Sequence, residues 1–204
     1  MKNALLSNPA LWENDQFAGL IFDFDGTLVN TMPLHWQAWQ GIMRRHQFHL
    51  SEEQFYAMGG IPSREILTNI SREQQVPLDP IAVALEKEAA YLALLNQVQP
   101  IPPVLDIVRA MQGKKPSAIA SGGTRRVIHR VLEHLGLRPF FRAVVTSDDV
   151  VRQKPAPDIF LEAARRLDVP PERCLGFEDT ELGLRAIRAA GMEAIDVRAV
   201  LAAG

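Results

Sequence analysis

Cysteine is nearly absent: the 204-residue chain has one, Cys174. A lone thiol excludes an intrachain disulfide framework and suits a reducing compartment, so a cytoplasmic protein is expected. Excess charge of either sign is also missing. Twenty-two Lys and Arg face 24 Asp and Glu, a formal net charge of −2, which argues against a general nucleic-acid surface. No apolar run approaches the roughly 20 residues that span a membrane. Met1 to Phe17 lacks a basic start followed by a long apolar segment, so no signal peptide is expected. There is no internal repeat or low-complexity tract. What remains is 47% hydrophobic and 23% charged, a composition that supports a packed core. The length allows one large domain, or a main domain with a smaller insertion.

The stretch that organises the chain is Gly19 to Leu28. Its apolar run, Leu20 to Phe22, reads as a buried parallel strand. The run stops at Asp23-Phe24-Asp25-Gly26-Thr27, where Gly26 supplies the backbone freedom of a sharp turn. Two carboxylates at one strand end repel each other unless positive charge sits nearby. A divalent metal meets that need, and hard oxygen ligands suit magnesium.

Upstream, Met1 to Phe17 reads as a polar leader packed loosely on the core, with a weak helix start at Ser7-Asn8-Pro9. From Pro33 to about Pro100 the patterning is helical and shows no strand periodicity. Leu34, Ala38, Ile42 and Met43 recur at helical spacing. Ser51-Glu52-Glu53 and Pro62-Ser63-Arg64-Glu65 open two further helices, and Asp79-Pro80 caps a third that runs towards Asn96. Pro100, Pro102 and Pro103 mark the return from this insertion. The second half alternates. Strands are expected at Ser117–Ala120, Ala143–Thr146, Cys174–Phe177 and Ala194–Val197. Helices are expected at Thr124–Leu135, Pro155–Leu167 and Leu182–Ala190. Such alternation makes a parallel sheet covered on both faces, which binds ligands beyond the carboxyl ends of its strands.

The residues just past those strand ends form a set: Asp23 and Asp25, then Ser121-Gly122-Gly123-Thr124, then Lys154-Pro155, then Glu178-Asp179. Alone, each has an ordinary explanation. Ser121-Gly122-Gly123 is a turn before a helix, Lys154 a solvated loop lysine, and Glu178-Asp179 a pair favoured at a helix start. Together they supply what phosphoryl transfer needs: a carboxylate nucleophile, cations for the phosphoryl oxygens, a hydroxyl with backbone amides, and a second carboxylate as acid. Cys174, inside an apolar run, reads as an inert buried thiol. Arg125 and Arg126 read as a solvated helix face.

These four segments resemble the four motifs of the haloacid dehalogenase superfamily, in its phosphotransfer branch. The insertion resembles the cap of the β-phosphoglucomutase-like subgroup. The resemblance implies a Rossmann-like α/β core of residues 1–30 and 101–204, with the Asp23 strand central, and an all-helical cap of residues 31–100. It implies Asp23 as the nucleophile that becomes an aspartyl phosphate. Asp25 is then the acid that protonates the leaving oxygen and later activates water. The implied Mg²⁺ site is Asp23, Asp179 and Glu178, with the main-chain oxygen of Asp25. Ser121, Gly122 and Lys154 would hold the phosphoryl group. In the cap, His35 would orient Asp25, and Arg64, in Gly59-Gly60-Ile61-Pro62-Ser63-Arg64-Glu65, would bind phosphate or hydroxyl groups. Trp39 reads as cap core.

Two departures from the subgroup stand out. Asn30 replaces a frequent hinge aspartate, and Gly59 to Pro62 lacks the cap lysine that the mutases carry just before this segment. A cap without that cation grips a doubly phosphorylated sugar less firmly and favours water as acceptor. The chain is therefore most similar to the fructose-1-phosphate and 6-phosphogluconate phosphatases of the subgroup. The expectation is a monomeric, cytoplasmic, Mg²⁺-dependent phosphatase acting on a small-molecule sugar phosphate, with no nucleic acid or membrane partner. The alternatives are a β-phosphoglucomutase and a non-catalytic phosphosugar-binding protein. Hinges are expected at Asn30-Thr31 and near Pro100.

Overall fold

The computed structural model describes residues 10–198. A short helix, α1 (Ala10–Glu13), precedes the strand β1 (Gly19–Phe22) and a two-residue strand, β2 (Val29–Asn30). Four helices follow: α2 (Met32–His46), α3 (Glu52–Ala57), α4 (Ser63–Gln74) and α5 (Pro80–Leu92). The chain returns through β3 (Gln99–Pro100). It then alternates through α6 (Pro102–Met111), β4 (Ser117–Ala120), α7 (Arg125–His134), β5 (Ala143–Val145), α8 (Asp158–Leu167), β6 (Cys174–Glu178), α9 (Glu181–Ala189) and β7 (Glu193–Asp196).

Five strands form one parallel sheet in the order β5-β4-β1-β6-β7, with β1 at the centre. The first four of these are buried along their whole length, as strands covered on both faces must be. Side-chain alternation divides the core in two. Leu20 and Phe22 point into a cluster with α6 and α7, while Ile21 points into a second cluster with α8 and α9. Phe22 stacks on Phe177 of the neighbouring strand, with ring centroids 4.5 Å apart. Phe22 is in register with Ile119 and Phe177, so three central strands end at one level and present their following residues along one edge.

The helices α2 to α5 carry their own core of Trp39, Ile42, Phe55, Leu67, Ile70 and Val83, among others. Ser51 closes a capping box with Gln54 at the start of α3, and the Asp79 carboxylate accepts from Ile81 and Ala82 N–H at the start of α5. This is the helical cap on the Rossmann-like sheet.

Several expectations need correction. The leader is not loose over its described part. Trp12 and Phe17 are buried in the main core, and Lys115 Nζ donates to the Trp12 carbonyl at 2.8 Å. Ser7 to Pro9 lies outside the described residues. The insertion is not free of strand: β2 pairs antiparallel with β3, so both chain crossings run through one small ribbon. Pro102 and Pro103 do more than mark a return. They open α6, because proline fits a first helical turn, where its missing N–H leaves no bond unmade. The helix expected from Pro155 starts at Asp158, since proline at 157 pushes the preceding residue out of helical geometry. Cys174 is buried as expected, and burial, with the charge of Glu172, pushes its thiol up to about 12.

The packed leader is testable. Trp12→Ala should cost about 3 kcal/mol in urea unfolding, the low end for a buried tryptophan. A loss below about 0.5 kcal/mol, ordinary for surface positions, would mean that the segment is an appendage.

Candidate active site

The carboxyl edge of the sheet gathers Asp23 from the end of β1, Glu178 and Asp179 from the end of β6, and Lys154 from the loop before α8. Oxygens of the three carboxylates lie within 4.8 Å of one another. Lys154 Nζ donates to Asp23 Oδ1 at 2.6 Å and to Glu178 Oε2 at 2.7 Å, and all three side chains are buried. Burial opposes the charge on Lys154, but Asp23 and Glu178 outweigh it and hold the ammonium well above the usual lysine range. Asp23 is pushed up by burial and then by Glu178, against the pull of Lys154. Asp179 is pushed up to about 7 by burial and by Glu178. Three carboxylates facing one ammonium leave two negative charges unbalanced, which is the charge of a divalent cation.

The donor set fits such an ion. Glu178 Oε1 accepts from Thr180 N–H and Oγ1, and Oε2 is taken by Lys154. Asp179 Oδ1 accepts from Thr27 Oγ1 at 2.7 Å. Among the described residues, hydrogen bonds therefore leave Asp23 Oδ2 and Asp179 Oδ2 for a metal. Glu178, expected among the ligands, has an oxygen grouped with those of Asp23 and Asp179, and it also binds the lysine and the start of α9. Gly26 stands against Asp179: its φ is +88°, and a Cβ there would lie 2.4 Å from Asp179 Oδ2. Only glycine meets both demands.

Asp25 belongs to a second group. Its Oδ1 accepts from Thr31 Oγ1 at 2.6 Å and meets His35 Nε2 at 3.2 Å. Ser121 Oγ is 3.4 Å from Oδ2. His35 Nδ1 lies 2.8 Å from Lys87 Nζ. An ammonium can only donate, so Nδ1 accepts and Nε2–H points at Asp25. Burial, then Lys87, holds the His35 ring below its usual value and so neutral. Burial acts to raise Asp25, but His35, Thr31 and Lys87 together hold it below the usual range. Burial lowers Lys87 to about 8, against Asp25 and Glu88.

The remaining expected residues, apart from the fully buried Ser121, line one cavity of about 310 Å³ between cap and sheet, at the small end for ligand sites. Asp23, Asp25, His35, Arg64 and Gly122 all lie in its lining, Arg64 being exposed at the rim. Ser121 Oγ accepts from Gly123 N–H at 3.0 Å. Trp39 lines the cavity from the cap core, nearly fully buried. Arg125 pairs with Asp149 at 2.7 Å and takes no place in the lining.

Two lining residues escaped the sequence reading. Lys87 and Glu88 sit mid-helix in α5, both buried. Three consecutive charged residues, Glu86 to Glu88, in an otherwise apolar helix were the available signal, since they spread over roughly 200° of its circumference and do not share one narrow solvated face. Lys87 also corrects an inference: the loop before Ser63 lacks a lysine, yet the cap does place a cation in the site, from another helix. Glu88 Oε1 accepts from Thr124 Oγ1 at 2.9 Å across the cap–core boundary.

Residues 17–191 match the haloacid dehalogenase-like hydrolases. The chain belongs to that family. Fructose-1-phosphate phosphatase YqaB of Escherichia coli (strain K12) is 42% identical over 185 residues, covering 90% of this chain and 98% of that protein. The β-phosphoglucomutase of Bacillus subtilis (strain 168) is 30% identical over 185 residues, covering 87% and 82%. A crystal structure of the β-phosphoglucomutase from Clostridium difficile superposes with a TM-score of 0.81 over 91% of this chain and 87% of that one. At 24% identity this is a likeness of fold. Among the described residues, no helix is long and apolar enough to cross a membrane.

The cap rests directly on the core. A Cβ on Gly122 would lie 2.3 Å from the Gly60 carbonyl oxygen, backbone against backbone. Gly122→Ala should hold the cap away from the sheet. Displacements of this size reduce turnover as much as 100-fold, so a fall of at least tenfold in kcat/KM is expected, with the melting temperature nearly unchanged. Undiminished kcat/KM would show that this contact is not needed for turnover.

Proposed function

We propose that this chain is a Mg²⁺-dependent phosphatase of small sugar monophosphates that works through a phosphorylated Asp23. The observation that carries the reading is the convergence of Asp23, Lys154 and Asp179 on one edge, with Asp25 held separately by Thr31 and His35. The enzyme is a hydrolase of phosphoric monoesters. The sugar-phosphate substrate is supported by the relative from Escherichia coli, a fructose-1-phosphate phosphatase. The buried single thiol suits a cytosolic setting.

In this reading one carboxylate oxygen of Asp23 attacks the phosphorus while the other stays towards the metal site. Lys154, the Ser121 hydroxyl and the Gly122 amide bind the phosphoryl oxygens. Asp23, Asp179 and the main-chain oxygen of Asp25 would hold Mg²⁺, which neutralises charge on the phosphoryl group and on the nucleophile. Asp25 gives its proton to the departing sugar oxygen. Thr31 and His35 occupy Oδ1, so the proton travels through Oδ2. An incoming phosphate dianion adds negative charge and raises Asp25 from its low resting value, which favours the acid form. In the second half Asp25 removes a proton from water as the water attacks the phospho-aspartate. Phosphate leaves, Asp23 is regenerated, and Asp25 regains the proton it gave.

A mutase has one observation in its favour, the cation Lys87 in the cap wall. Incubation with β-glucose 1-phosphate and a trace of the bisphosphate separates the two. Isomerised sugar without free phosphate supports the mutase. Free phosphate without isomerised sugar supports the phosphatase. Asp23→Ala, or chelation of the metal, should abolish phosphate release from sugar phosphates. Wild-type rates surviving either treatment sink the reading.

A further inference from the structure

We propose that Glu88 makes the leaving-group end of the cavity selective for monophosphates of uncharged sugars, and turns away substrates that carry a second anionic group. The inference rests on the sugar-phosphatase reading above and narrows its substrate class.

The charges of the lining divide by position. Asp23 and Asp25 belong to the reacting centre, and Lys87 is shared between that centre, through His35 and Asp25, and the neighbouring Glu88. The remaining charged residues of the lining are Arg64, Asp148 and Glu88. Arg64 and Asp148 are exposed and of opposite sign, so solvent screens both and their fields largely cancel. Glu88 is different, at 8% exposed. A charge shielded from water acts strongly on its neighbours. Its one hydrogen-bonding partner among the described residues is the Thr124 hydroxyl, which is neutral.

A carboxylate in that position accepts hydrogen bonds from sugar hydroxyls and repels a carboxylate or a second phosphoryl group. Discrimination arises from both effects, attraction for one ligand and repulsion of the other. A second feature of the lining points to hydroxyl-bearing ligands. The Tyr91 hydroxyl is buried with no hydrogen-bond partner among the described residues, and the ring stacks on His35 at 3.9 Å. Buried hydroxyls without partners are rare unless a ligand completes them. An orphan phenol and a buried carboxylate together match a polyhydroxy, uncharged leaving group.

The test compares kcat/KM of the wild-type protein for fructose 1-phosphate, 6-phosphogluconate and fructose 1,6-bisphosphate. The neutral-sugar monophosphate should be preferred. Glu88→Gln keeps an acceptor for Thr124 and removes the charge. It should shrink the preference at least tenfold, about 1.4 kcal/mol, chiefly through lower KM for the two acidic substrates. Glu88→Ser should move the ratio in the same direction. A ratio within about twofold of wild type in both folded variants overturns the assignment, as does a wild type that handles the acidic substrates equally well. A folded wild type that releases phosphate from none of the three overturns the sugar-phosphatase reading itself. Release from fructose 1-phosphate with an unmoved ratio overturns only the role given to Glu88.

Discussion

One ammonium group, Lys154 Nζ, holds the carboxyl edge of the sheet together. It lies between Asp23 and Glu178, which belong to neighbouring strands and would otherwise repel each other in a buried setting. Removing one partner of such a buried arrangement costs about 3–5 kcal/mol, because the charges left behind are stranded away from water. Glu178 is fixed in turn by Thr180, whose hydroxyl also accepts from Gly183 N–H and caps α9. Lys154 lies 5.1 Å from the ring of Phe160 in α8. The lysine therefore ties two strands, a loop and two helices to one point, and that point is where the nucleophile is aimed. Rigidity at this edge is a condition for catalysis, since a small misplacement of reacting atoms carries a large loss in rate.

The two carboxylates at the first turn, Asp23 buried and Asp25 partly so, have been given opposite surroundings. Asp23 is raised by burial and by other acids, and Asp25 is lowered by a histidine, a threonine and a lysine. Two groups of one chemical type separated in this way can take different roles in one reaction. The cap supplies the difference, through His35 and Lys87, together with Thr31 at its junction with the core. The cap thus sets the state of the core site as well as covering it.

Much of the core was legible from the chain because parallel strands announce themselves. They are short, wholly apolar, and end where polar residues begin, so Asp23, Ser121 and Glu178 could be placed without coordinates. The cap was legible as helices but not as a chemical surface. Lys87 and Glu88 are separated from every motif, and a charged pair on a helix is ordinarily solvated. Only the packing of α5 on α2, which turns that face towards His35, gives them meaning. Trp12 and Phe17 were misjudged because the residues around them are polar, and two apolar side chains are too few to show a period. The pairing of Val29–Asn30 with Gln99–Pro100 escaped for another reason. Strands of two residues have no pattern to read, and their partnership spans most of the cap in sequence.

That ribbon has a consequence for how such a protein can be rebuilt. Val29 is opposite Pro100 and Asn30 is opposite Gln99, and residues facing each other across antiparallel strands sit about 5 Å apart. The four-helix segment is therefore attached like a pendant on a single clasp. Cutting at the clasp leaves two chain ends close enough to be rejoined by a tight two-residue turn, although Ala38, Tyr91 and Val98, which pack into the main core, leave with the pendant. A different pendant spliced at the same clasp would keep Asp23, Lys154 and the two acids after β6, but it would have to replace His35 and Lys87 beside Asp25 as well as bring its own walls.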